Sequence, residues 1–166
     1  MSPPLDDSEA KLAKAQQCAL RLLRVRDRSR QELAGALERR GFPEAVRARV
    51  LDRLAELGYL DDRRFARARA RALLASQVGP KAVEVRLRGH GISPEEARAA
   101  VADAALELGF DELESARALL ARRRLEGALP ARARARAARL LASHGFSEEI
   151  VERLLGAALE TPPEDG

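Results

Sequence analysis

The feature that most limits what this chain can become is a tandem repeat. The segments "SRQELAGALERRGFPEAVRARVLDRL", "GPKAVEVRLRGHGISPEEARAAVADAA" and "PARARARAARLLASHGFSEEIVERLLGAAL" align on Gly41, Gly91 and Gly145. Leu33, Val83 and Ala137 stand eight residues before these glycines, Leu37, Leu87 and Leu141 four before, and Phe42, Ile92 and Phe146 directly after. The glycines are spaced 50 and 54 residues apart. A second landmark, Gly58 in "AELGYLDD" and Gly109 in "LELGFDEL", recurs after 51 residues. A period of about fifty residues makes each unit one supersecondary module, which buries its apolar face against its neighbours.

The chemistry of each module follows from its spacing. Apolar residues four apart before the glycine form one face of a helix. The glycine ends that helix, because it takes a left-handed backbone cheaply. The apolar residue after it folds back onto the helix it leaves. A new helix follows, with Val46, Val50, Leu54 and Leu57 on one face in the first unit. Ala97 and Val101, then Ile150 and Leu154, are the later counterparts. Ser93 before Pro94 and Glu96 marks a helix start, and Ser29 with Glu32 and Asp111 with Glu114 read as capping boxes. A further helix opens each unit; the first runs from about Lys11 to Arg26, with Leu12, Ala15, Ala19 and Leu22 or Leu23 inward. The predicted fold is all-α: three tandem three-helix repeat units, about nine helices, forming an elongated curved array. The units are expected at residues 11–60, 61–109 and 110–160, between disordered tails at 1–10 and 161–166.

Composition narrows the function. Aromatics are 3% and Trp is absent, so alanine and leucine must build the core, and a base-stacking platform for single strands is poorly supported. Tyr59 and Phe110 follow repeat glycines and are expected in the core. Cys18, the only cysteine, reads as a small buried hydrophobe in a reducing compartment. No apolar stretch approaches a membrane span, and the start "MSPPLDDSEA" is unlike a signal peptide, so the expectation is a soluble, cytoplasmic protein. No phosphate-loop, dinucleotide, HExxH or paired-CxxC pattern occurs. No catalytic residue, cofactor or metal site is expected, and the chain is not read as an enzyme. His90 and His144 each precede a repeat glycine, where the first unit has Arg40, and are expected to meet carbonyls at a helix C-terminus.

The net charge is +4 and the pI near 9.9, which fits a polyanionic partner or an acidic protein surface. The run "LDDRRFARARARALL" concentrates this charge. Set on a helix, Arg64, Arg67 and Arg71 share one side, opposite Phe65, Ala66, Ala72 and Leu73, while Asp61 or Asp62 caps the start. Arg69 is the exception, falling between Phe65 and Leu73. In "PARARARAARLL", Arg132, Arg136 and Arg139 share one face, opposite Ala133, Ala137, Leu140 and Leu141, with Arg122, Arg123 and Arg124 shortly upstream. Charged helix faces are ordinarily just solvated. Here acids are scarce: none lies between Arg63 and Val83, and only Glu126 between Arg117 and Leu141. A merely solvated helix more often interleaves glutamates as i,i+4 partners. The candidate partner or DNA-binding residues are therefore Arg64, Arg67, Arg71, Arg122, Arg123, Arg132, Arg136 and Arg139.

"ALRLLRVRDRSRQELAGALERRGF", "VLDRLAELGYLDDRRFA", "GPKAVEVRLRGHGI" and "RLLASHGFSEEIVERLL", in that order over roughly Ala19 to Leu155, resemble the RecX family of bacterial regulatory proteins. The resemblance implies a function in recombination, DNA repair and the SOS response. RecX-like proteins bind the RecA recombinase filament on single-stranded DNA, limit its extension, and inhibit its ATPase and strand exchange. Some also bind DNA directly. The implied partners are thus the RecA filament and single- or double-stranded DNA, directly or through the filament, with the chain acting as a monomer away from membranes. A direct nucleic-acid-binding helical repeat module is the alternative. The family supplies no single binding motif to carry over, so the arginine stripes rest on the residues alone.

Overall fold

The computed structural model describes residues 7–156. Expectations for the two tails and the last residues of the third unit fall wholly or partly outside them. Among the described residues the chain is all-helical, in the order α1 (Asp7–Val25), α2 (Arg30–Glu38), α3 (Glu44–Glu56), α4 (Asp62–Ala75), α5 (Pro80–Gly89), α6 (Pro94–Leu108), α7 (Glu112–Arg122), α8 (Ala131–Ser143) and α9 (Glu148–Leu155). No helix there is long and apolar enough to cross a membrane. The described backbone divides into two compact units: one comprises residues 7–66 and Gly89–Ser93, the other Arg67–Arg88 and residues 94–156.

In the first unit α1, α2 and α3 close around Ala15, Cys18, Ala19, Leu33, Leu37, Val46, Val50, Leu51, Leu54 and Leu60. The helices are short and hold only because they share this core. Fully burying Leu33 and Leu37 stabilises it by about 1.5–3 kcal/mol each. Two expectations shift here. Leu57 is 46% exposed, and Leu51 takes the buried place instead. Tyr59 is 54% exposed rather than packed. Both leave the core because α3 ends at Glu56: the Gly58 N–H donates to the Ala55 carbonyl at 3.0 Å and the Tyr59 N–H to that of Leu54 at 2.9 Å, turning the chain away.

Both N-caps form as read, but the reciprocal half of the capping box is seen only at Ser29 and Glu32. Ser29, wholly buried, accepts the Glu32 N–H at 3.1 Å, and its own backbone bears on the Glu32 carboxylate. Asp61 accepts the Arg64 N–H at 2.9 Å at the start of α4, while Asp62 accepts the Arg30 N–H at 2.7 Å. Asp111 accepts the Glu114 N–H at 2.9 Å; the Glu114 side chain turns instead to Arg117 at 2.6 Å.

The second unit holds the rest of α4 with α5 to α9. Its α7–α9 core joins Ala116, Leu119, Leu120, Leu125, Ala137, Ala138, Leu141, Phe146, Ile150 and Val151. The loop before α5 meets the end of α8 at backbone distance: the Gly79 N–H donates to the His144 carbonyl at 2.7 Å. A Cβ on Gly145 would stand 2.3 Å from Ala82 Cβ, so this approach requires glycine. Helices α4 and α7 end in the turn the repeat glycines make elsewhere, but with Gln77 (φ 61) and Arg124 (φ 55) in the left-handed place.

Candidate polyanion-binding surface

All eight arginines singled out from the sequence are exposed. Their surroundings divide them. In the first unit, Arg64 donates to the carbonyls of Gly58 and Tyr59 at 3.2 and 3.3 Å and lies 3.7 Å from Asp27. It thus satisfies carbonyls left open at the end of α3. In the second unit, Arg67 is bonded to Glu107, which also approaches Arg71 at 3.5 Å. The Glu107 hydrogen bond and charge, with help from Asp103, hold Arg67 above the ordinary guanidinium range. The α4 arginines therefore already have partners of their own chain. Glu107 lies on α6, forty residues from Arg67, so a local count of acids along α4 misses it.

Helix α8 differs. Its buried side is Ala137, Ala138 and Leu141, with Ala133 and Leu140 partly covered, as the spacing requires. Arg134, beside that side, donates to the Leu129 carbonyl at 3.3 Å. Arg132, Arg136 and Arg139 stand on the exposed side, and none meets a carboxylate among the described residues. Arg123 is likewise open, whereas Arg122 donates to the Gln77 side chain at 2.6 Å. A row of guanidiniums at i, i+4 and i+7, with no carboxylate of the described residues against it, has the charge and geometry to receive phosphates or carboxylates.

Arg69 lies within the apolar arc of α4 by angle, yet is exposed; Ala70 and Leu74 are buried, and Ala72 is not. Two of the three residues before the repeat glycines behave as expected. His144 Nδ1 lies 2.9 Å from the Leu140 carbonyl, and Arg40 donates to that of Ala36 at 2.8 Å. His90 instead places Nδ1 3.2 Å from Glu32 and stands edge-on to Phe65 at 5.5 Å. Glu32 also receives Arg26 at 2.9 and 3.3 Å. Burial pushes the Glu32 carboxyl up, but the Arg26 hydrogen bond and charge, with His90 and the Ser29 backbone, outweigh it and hold Glu32 below the ordinary carboxylate range. Among the described residues no three His, Cys, Asp or Glu side chains gather as a metal site.

Short helices in threes, repeated along the chain and joined by glycine-terminated turns, define a helical-repeat protein of three-helix modules. Comparison with known proteins gives the family. A profile described as "RecX, first three-helix domain" matches residues 15–54, and one described as "RecX, second three-helix domain" matches residues 61–101. The chain is 38% identical over 155 residues to "Regulatory protein RecX" of Mycobacterium sp. strain KMS, covering 90% of this chain and 84% of that one. It is 35% identical over 162 residues to the protein of that name from Mycobacterium bovis, covering 95% and 92%. With the Mycolicibacterium smegmatis protein of that name it shares 44% identity over 99 residues, 58% of this chain and about half (52%) of that one. A crystal structure of RecX from Lactobacillus salivarius superposes with TM-score 0.72 at 21% identity, over 88% of this chain and 95% of that one. A crystal structure of a regulatory protein RecX superposes with TM-score 0.76 at 22% identity, over 92% and 80%. The chain belongs to the RecX family.

Proposed function

We propose that this protein is a regulator of the RecA recombinase: it binds the RecA–single-stranded DNA filament, limits its extension, and inhibits its ATPase and strand exchange. Membership of the RecX family along nine-tenths of the chain carries this reading. The repeated helical modules suit it, because such modules work by the surface they present. So do the basic balance, with pI near 9.9, and the open arginines of α8. On this reading the protein acts in the cytoplasm, as a monomer, without catalysis or cofactor of its own.

The deciding experiment is a recombinase ATPase assay on single-stranded DNA with substoichiometric protein added. Inhibition below one protein per recombinase protomer is expected; undiminished hydrolysis refutes the proposal. The unmatched charges of Arg132, Arg136 and Arg139 favour a second reading, direct contact with nucleic-acid phosphates. Binding to bare DNA as tight as to recombinase-coated DNA at physiological salt would select it.

A further inference from the structure

The turn at the first repeat glycine differs from its two counterparts in what covers it. In the first compact unit the start of α2 lies over the turn at Gly91. A Cβ on Gly91 would overlap the Gln31 side chain, which donates to the Gly89 carbonyl at 3.4 Å. Glu32, in the first turn of α2, stands 3.2 Å from His90, the residue before that glycine. In the second unit the start of α5 covers the turn at Gly145. Ala82 fills the place a Cβ would take there, and the Gly79 N–H donates to the carbonyl of His144, again the residue before the glycine. Ile92 and Phe146, which follow these glycines, are both only 3% exposed.

At Gly41 that cover is missing. Among the described residues nothing lies within 4 Å of a Cβ built on Gly41. Phe42 is half-buried where Ile92 and Phe146 are buried. The Arg40 carbonyl, in the place of the His144 carbonyl, receives no backbone N–H among the described residues. The Arg40 side chain, in the place of His90, spends one N–H on the Ala36 carbonyl and meets no carboxylate in ion-pair range among them. Glu38, two residues away, holds Arg47 at 2.7 Å. A terminal module with no neighbour to meet carries a polar outer face. An open glycine beside a half-buried phenylalanine is instead the face of a module that takes a neighbour.

We propose that the turn of Arg40, Gly41 and Phe42 is a docking socket for the start of an α-helix of the recombinase protomer, a helix with a carboxylate in its first turn. The inference rests on the function proposed above and names a contact surface for it. The two covered turns supply the chemistry. Glycine lets the incoming backbone approach closely. The open N–H groups of a helix start face the last carbonyls of α2, so the positive end of one helix dipole meets the negative end of the other. The first-turn carboxylate reaches the side chain before the glycine, as Glu32 reaches His90. Arginine in that place offers two parallel N–H donors. A phosphate backbone brings no donor for the α2 carbonyls. A second copy is disfavoured by charge: the start of α8, exposed at Ala131 and Arg132, has no acid in its first turn, so Arg40 repels it.

The test is inhibition of recombinase ATPase on single-stranded DNA by the full-length protein and its variants. Gly41→Asn puts a side chain into the socket without changing charge, and asparagine tolerates a left-handed backbone. Gly109→Asn, at another positive-φ glycine with open space around it, controls for the turn itself. Gly41→Asn is expected to raise the half-inhibiting concentration about tenfold or more, and Gly109→Asn to leave it within about twofold. Arg40→Glu is expected to weaken inhibition more than Arg40→Gln, since it sets like charges together. Circular dichroism checks folding; should Gly41→Asn misfold, the two variants of exposed Arg40 carry the test. Failure of the wild type to inhibit refutes the function proposed above, and the partner named here with it. Wild-type inhibition matched by both Gly41→Asn and Arg40→Glu overturns the socket alone. Two further results overturn it. One is an equal loss by Gly41→Asn of affinity for a bare labelled oligothymidylate, read by fluorescence anisotropy, which makes the turn a strand site. The other is wild-type self-association in sedimentation velocity that Gly41→Asn abolishes, which makes the occupant a second copy.

Discussion

Replacing Gly145 by alanine, beside the same change at Gly41, isolates what the repeat glycines do in this fold. Both sit in the left-handed region at φ +80. Alanine there costs about 1–2 kcal/mol in backbone energy, partly offset by about 0.4–1 kcal/mol from a stiffer unfolded chain. At Gly41 nothing lies within 4 Å of the added Cβ, so the net loss should be about 1 kcal/mol. At Gly145 the new Cβ would stand 2.3 Å from both Cβ and N of Ala82. Backbone cannot swing aside, so the end of α8 must move off the start of α5. That adds about 1–3 kcal/mol of overpacking, and about 1 kcal/mol for weakening the Gly79 N–H bond to His144. The total is about 3–5 kcal/mol. Gly79→Ala completes the comparison: it has no left-handed backbone, so its overlap at 2.3 Å with the Gly145 carbonyl acts alone. Thermal melts followed by far-UV circular dichroism should place Gly145→Ala well below Gly41→Ala, since each kcal/mol moves the midpoint by about 2–4 °C at this size. Equal midpoints for the two would refute the close approach and leave only the turn.

Further outcomes follow from other residues. Glu32 is held below the ordinary carboxylate range in the folded chain, so its stabilising effect is full above its unfolded pKa, about 4.3, and disappears as pH falls through the lower folded value. The stability gap between wild type and Glu32→Gln should therefore be wide at neutral pH and shrink below about pH 4, read by urea melts. Arg124→Gly relieves a left-handed arginine and should raise the melting midpoint by about 2–4 °C, matching about 1 kcal/mol. A triple change of Arg132, Arg136 and Arg139 to glutamine should leave the melting midpoint nearly unchanged and weaken filament binding. The same change at Arg67 and Arg71, which share the single Glu107 carboxylate, should weaken binding less; a pull-down with recombinase-coated DNA ranks the two.

Local chemistry made much of this molecule readable. Ser29 with Glu32, and Asp111 before Glu114, act within four residues, so a cap is visible wherever its letters stand. The inward faces of α1 and α8 follow from apolar spacing, and the glycine turns from the need for positive φ. The same local rules erred at Leu57 and Tyr59, where the helix stops just short of them and exposes both. Gln77 and Arg124 carried no signal, because neither residue type announces a left-handed backbone.

By itself, then, the sequence determined the helices, their caps and turns, the repeat, and the membership of a family. All of these rest on hydrogen bonds and side-chain periodicities spanning a few residues, or on order along the chain. Only the tertiary structure decided which arginines are matched. Glu107 reaches Arg67 from another helix, Arg47 takes Glu38, and His90 turns to Glu32 across fifty-eight residues of chain. Electrostatic pairing depends on distance through space, which the order of residues does not encode. An arginine's freedom to meet a partner is therefore a property of the fold.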